Sequence, residues 1–318
     1  MLMLTDGDVS RLLEMPACID AVEAAFRARG AGMPAASAVT GLELNGGGLH
    51  AKLGRLDISR SYAAAKVNAN FPHNPRQHRL PTIQGVLILF DGATGRVLAV
   101  MDSGVVTALR TAAATAVAAK HLALPDASVA AFIGCGVQAR AHLAALLLVR
   151  PLRHVRAFDI DSAAAERFAA ETRTIGGLSV EIAPDIRTAV DGSTIVITST
   201  PARRPIVKLG DVAPGTFIGA VGADNETKHE IEPDLMAHAA VIVDDLDQCS
   251  RLGDLHHALA AGAMERRHVR GSLDQIVSGR TGRLNDAEIV VFDSTGVAIE
   301  DVAAAALIYE RSQMDSQI

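Results

Sequence analysis

Gly134-Cys135-Gly136-Val137-Gln138-Ala139 is the segment whose residue types and spacing point most directly to chemistry. An apolar run, Val129–Ile133, precedes it, and an Ala/Leu-rich helical pattern follows. Strand, tight glycine turn and helix in that order make a dinucleotide cradle. Gly134 permits the turn, Gly136 lets backbone approach a pyrophosphate, and Ala139 lets helix and strand pack closely. The N–H groups and positive dipole end of the helix then face the phosphates. The chemistry implied is hydride transfer with a nicotinamide. The next apolar run, His154–Phe158, ends at Asp159, 23 residues after Gly136. That is near the roughly 20-residue spacing of an acid that binds the adenosine ribose hydroxyls. Asp159 could instead cap a helix over Ala163–Thr172, a role equally open to Asp161 and Ser162. An acid here repels a 2′-phosphate, and Ile160 rather than Arg follows it, so NAD(H) is expected in preference to NADP(H).

A second group of residues is cationic. Lys66 sits in AAAKVNANF, an otherwise small and apolar run. A lysine buried there needs a partner, which either a substrate carboxylate or a structural acid satisfies. His50-Ala51-Lys52 alternates, so His50 and Lys52 point to one face of a strand, and Arg55 adds charge to the same segment. Arg110 opens an Ala-rich helix, either as a surface residue or as a bidentate carboxylate clamp. Asp224 lies in GAVGADNETKHE, just past an expected strand end, where open α/β sheets bind ligands; a turn or cap role also fits. Cys18, Cys135 and Cys249 are far apart and lack metal-ligand spacing, so no metal is expected.

Helical patterns early in the chain, short β-type runs from Ala35 to Val100 and a helix over Thr107–Leu122 precede the glycine turn. Asp91–Gly95 reads as a hairpin turn. Strand and helix then alternate through Val180–Ile182, Ile195–Thr198, Thr216–Ala220, Val241–Val243 and Ile289–Phe292, with a closing helix over Glu300–Arg311. This alternation predicts an α/β fold: a doubly wound parallel Rossmann sheet over 121–299. A second α+β domain is expected from both chain ends, 1–120 with 300–318. The 318 residues are 49% hydrophobic with net charge −6. No basic field suits nucleic acid, and no apolar run reaches the length of a membrane span. The first residues carry acids where a secretory signal needs cations, so a cytoplasmic protein is expected.

Several motifs, in order, carry a resemblance: AAKVNANFPHNP, TALRTAAATAVAA, IGCGVQARAHL, the acid of AFDID, ITST before Pro201, GAVGADNETKHEI and DSTGVAIEDVAAA. The chain resembles, nearly end to end, the ornithine cyclodeaminase/mu-crystallin family of amino-acid and imine oxidoreductases. The resemblance implies a homodimer whose second domain binds substrate and dimerises. It implies Lys66 and Arg110 as substrate-carboxylate and carbonyl or imine contacts, and Asp224 as the catalytic acid/base. Gly134, Gly136, Val137, Gln138, Ala139 and Asp159 match cofactor contacts, with Arg110, Thr111, Thr198, Ser199 and Thr200 as further ones. Many relatives carry an arginine in the segment matching Met33–Ser37; this chain reads MPAAS, so Lys52 or Arg55 is expected to supply the missing charge.

The cationic segment 49–55 disfavours ornithine, whose distal ammonium would be buried against like charge at a cost of about 2–5 kcal/mol. A second carboxylate suits Lys52 and Arg55. The expected reaction is NADH-dependent reduction of an α-imino acid to an L-amino acid, with iminosuccinate to aspartate as its sharpest form. Ornithine cyclodeaminase, alanine dehydrogenase, cyclic ketimine reductase and a mu-crystallin-like binding protein are the alternatives.

Overall fold

The computed structural model describes residues 1–58 and 60–315. The chain divides into two compact units, one of Met1–Ala114 with the chain from Val297, the other Thr115–Gly296. The break falls after Ala114, inside the Gly104–Leu122 helix and six residues before the expected boundary at 120.

Unit 1 is built on a six-stranded sheet: β1 Leu2–Leu4, β2 Ala35–Leu44, β3 Gly47–Asp57, β4 Ser61–Asn70, β5 Ile83–Asp91 and β6 Val97–Asp102, in the order β1-β6-β5-β4-β3-β2. β2 to β6 run antiparallel in hairpins, and β1 adds to β6 in parallel. The C-terminal helix Ala298–Asp315 packs on β2–β5 and on the Met15–Gly30 helix. Gly54 allows that approach, because a Cβ on it would stand 2.8 Å from Ala298. Along β3, therefore, His50, Lys52, Gly54 and Leu56 face the helix, while Leu49, Leu53 and Arg55 face the other way. That other face of the sheet exposes Leu42, Leu49, Leu53, Val67 and Val86.

Unit 2 holds an eight-stranded, wholly parallel sheet in the order β15-β14-β16-β12-β10-β7-β8-β9. Its strands are β7 Val129–Ile133, β8 His154–Phe158, β9 Ser179–Ile182, β10 Ile195–Thr198, β12 Phe217–Ala220, β14 Ala240–Val243, β15 Gly271–Ser272 and β16 Val290–Asp293. A parallel pair, β11 Arg203–Val207 and β13 His229–Ile231, stands apart. Strands β10, β12, β14 and β16 are buried along their whole length, as a sheet covered on both faces requires. No helix is long and apolar enough to cross a membrane among the described residues.

Candidate active site

In unit 2, β7 leads into the glycine turn. Gly134 takes φ +91°, and a Cβ on it would stand 2.8 Å from the Ser199 carbonyl oxygen, so only glycine fits. Gly136 precedes the Val137–Leu146 helix in extended conformation, and no side chain caps that helix. A Cβ on Gly136 would meet nothing within 4 Å. The Oε1 of Gln138 is buried and accepts no hydrogen bond. Ala139 is fully buried beneath the turn. An uncapped helix N-terminus, open space over the glycine backbone and an orphaned acceptor fit a dinucleotide, whose phosphates and hydroxyls would satisfy them. Gly134, Gly136, Val137, Gln138 and Ala139 are the residues that would hold it.

Asp159 closes the same turn from β8. Its Oδ2 accepts from the Cys135 N–H at 2.8 Å and its Oδ1 from the Asp161 N–H at 2.8 Å. Asp161 is the residue that caps the Ser162–Arg173 helix, accepting from the Ala163 N–H. Asp159 therefore has no capping duty, and each of its oxygens keeps a lone pair for a ribose hydroxyl. Ile160 beside it is almost fully exposed. Cys135 is buried, and burial pushes its thiol up to about 12, so it fills space rather than reacting.

A buried acid absent from the sequence-based expectation organises the neighbouring loops. Glu230 is fully buried and accepts from Thr200 N and Oγ1 at 2.6 and 2.7 Å, Thr198 Oγ1 at 2.7 Å and Gly222 N at 2.8 Å. Thr198 and Thr200 thus both turn their hydroxyls onto Glu230. Ser199 Oγ donates to the Gly134 carbonyl at 3.3 Å, tying this loop to the glycine turn. Asp254 in turn accepts from the Glu230 and Ile231 N–H groups, and Asp293 from the Asp254 and Leu255 N–H groups. Burial raises the proton affinity of all three acids, Asp293 to about 7. Asp224 lies on the loop that begins at Gly222, where Lys228 Nζ reaches its Oδ1 at 2.6 Å. Lys228 is four residues away, a partner visible in DNETK.

In unit 1, Lys66 and Arg110 are both buried, and both meet acids at the start of the C-terminal helix. Lys66 Nζ lies 2.6 Å from Asp301 Oδ1, Arg110 Nε lies 2.9 Å from the same oxygen, and Arg110 Nη1 lies 2.7 Å from Glu300 Oε2. Lys52 stands directly across from Lys66 on β3 and β4, on the same face. Burial and the facing Arg110 and Lys52 push the Lys66 amine down to about 7, against the pull of Asp301. Thr111 bonds its hydroxyl to the Thr107 carbonyl one helical turn back. Arg55 does not join this group, which corrects its pairing with Lys52. It points to the opposite sheet face and forms a two-point pair with Asp57, at 3.1 and 2.6 Å. No set of three or more His, Cys, Asp or Glu side chains could hold a metal among the described residues.

An α/β unit with an intact dinucleotide-type glycine turn, and a second unit carrying buried cations, fit a dinucleotide-dependent oxidoreductase. The particular kind follows from comparison: residues 1–316 match the ornithine cyclodeaminase/mu-crystallin family, and the chain belongs to it. It is similar to an alanine dehydrogenase of Archaeoglobus fulgidus, 37% identical over 98% of this chain and 95% of that one. It is 31% identical to an iminosuccinate reductase of Paracoccus denitrificans, over 98% of this chain and 96% of the relative. A solved archaeal alanine dehydrogenase, described as a dimer with bound NAD, superposes with a TM-score of 0.93 at 37% identity, covering 99% of this chain and 97% of that one.

Proposed function

We propose that this protein reduces an α-imino acid to an L-amino acid with NADH, and that a dicarboxylic imine, iminosuccinate giving aspartate, is its best substrate. The observation that carries the reading is the like-charged pair Lys52–Lys66 on one sheet face beside buried Arg110. Cations gathered on one face attract an anionic ligand, which would share Lys66 and Arg110 with their present partners Asp301 and Glu300. Lys66 and Arg110 bind and orient the α-carboxylate. Lys52 binds the second carboxylate. Asp224 handles the proton at the substrate nitrogen, with Lys228 holding its carboxylate in place. Asp159 reads the ribose hydroxyls and sets the preference for NAD(H) over NADP(H). The bound nicotinamide supplies the hydride; the protein's task is position and charge.

The pairing of Arg55 with Asp57 favours a second reading, a monocarboxylic imine such as that of pyruvate, since it leaves one fewer cation for a second carboxylate. Absorbance at 340 nm distinguishes them. NADH with oxaloacetate and ammonia should be consumed faster than NADH with pyruvate or glyoxylate and ammonia, or with cyclic imines. Equal or faster turnover of pyruvate would give the second reading, and no oxidation in any mixture would remove both.

A homodimer also follows from the proposed reading. The exposed apolar face of Leu42, Leu49, Leu53, Val67 and Val86 suits burial against a second copy, and the similar archaeal enzyme is described as a dimer. Light scattering should give twice the chain mass, and Leu53→Lys should give monomers. A wild-type monomer would remove the dimer.

A further inference from the structure

Lys66 and Arg110 share one counterion, and it comes from neither of their own elements. A single oxygen, Asp301 Oδ1, lies 2.6 Å from Lys66 Nζ and 2.9 Å from Arg110 Nε. The other oxygen, Oδ2, is buried and accepts no hydrogen bond, so the two cations hold the anion in place. Asp301 itself is almost fully buried in the first turn of the C-terminal helix, where an acid is favoured by the helix dipole. Lys52 from β3 acts on both Lys66 and Asp301, and Glu300 beside Asp301 pairs with Arg110. Cys18, from the Met15–Gly30 helix, feels Glu300 and Arg110; burial and Glu300 push its thiol up to about 12.

We propose that Asp301 is the positioning residue that keeps the proton on Lys66 against the two cations facing it, and so sets the charge of the carboxylate-binding pair. Burial, Arg110 and Lys52 all favour the neutral amine; Asp301 opposes them. The balance leaves Lys66 titrating at about 7, inside the working range of pH. With Asp301 neutralised, Lys66 loses its proton at neutral pH and ceases to attract a carboxylate. Glu300 does not replace it, because its contact is with Arg110 Nη1.

This inference rests on the proposed role of Lys66 for its consequence in catalysis, and its test needs no substrate. The chain has five lysines, Lys52, Lys66, Lys120, Lys208 and Lys228, so 13Cε-lysine NMR gives a resolvable set, with Lys66 assigned from the spectrum of Lys66→Met. In Asp301→Asn the Lys66 midpoint should fall by about 1–3 pH units, the usual effect of losing an adjacent opposite charge. In Lys52→Met it should rise. In Asp301→Glu, which restores the charge, it should return toward the wild-type value. A purely structural Asp301 would lower thermal stability and leave the midpoint in place. An unmoved or raised midpoint in folded Asp301→Asn overturns the proposal. Should that variant not fold, an unmoved midpoint in Lys52→Met overturns it equally. Failure of every imine to react would sink the proposed function and leave this titration standing.

Discussion

Gly222→Ala places one methyl group where the structure has no room for it. Its carbon would lie 2.5 Å from Cδ, Oε1 and Oε2 of Glu230, whereas ordinary contact needs about 3.5 Å. The carboxylate must withdraw by about 1 Å. Its bonds to Thr198, Thr200 and Gly222 are 2.6–2.8 Å long, so a displacement of that size carries several of them past hydrogen-bonding distance. Losing two bonds to a charged group costs about 3–6 kcal/mol. At roughly 2–4 °C per kcal/mol for a unit of 150–250 residues, the lower figure corresponds to a fall in Tm of about 6–12 °C. The Thr198–Thr200 loop also reaches the Gly134 carbonyl through Ser199, so NADH affinity should fall with stability. Calorimetry and NADH fluorescence titration measure the two. A Tm within about 2 °C of wild type, with NADH affinity intact, would refute the claim that Glu230 clamps these loops.

Asp159→Ser should weaken NADH binding as well as relax discrimination against NADPH, because the acid also holds the Cys135 N–H; a variant with unchanged affinity for both cofactors would contradict this. Lys52→Ala should raise KM for a dicarboxylic imine selectively, while Arg55→Ala leaves the ratio of dicarboxylic to monocarboxylic kcat/KM unchanged; a shift in that ratio for Arg55→Ala would contradict the face assignment. Lys66 titrates at about 7 when folded, against its ordinary 10.5. The unfolded chain therefore binds the extra proton between those values, and the folded state gains stability from this residue as pH rises through that window. The stability of wild type relative to Lys66→Met, from urea unfolding, should increase from pH 7 toward pH 10; a constant difference would show an unshifted amine.

The glycine turn and the strand–helix alternation after it are legible because both are local. Gly134, Gly136 and Ala139 take their roles from a few neighbouring residues, and the apolar runs of β10, β12, β14 and β16 mark strands buried on both faces. The three-residue strand β1 is too short to show a period. The pairing of Lys66 with Asp301 spans 235 residues of sequence, so spacing alone did not choose between a substrate carboxylate and a structural acid. One signal was available: Glu300-Asp301 interrupts VAIEDVAAA, just as Lys66 interrupts an apolar run, and buried charges of opposite sign seek each other. The separation of Lys52 from Arg55 was also readable, because residues three apart on a strand face opposite ways. Glu230 gave no such signal, since KHEIEP reads as an ordinary polar loop.

The central claim is that hydride passes from the cofactor to the carbon of a C=N bond. It is tested most directly with NADH deuterated at nicotinamide C4 on the face used, and mass spectrometry of the amino acid formed from a keto acid and ammonia. Direct hydride transfer places one deuterium at the α-carbon for each NADH oxidised. An amino acid formed without deuterium, with either face labelled, would contradict it.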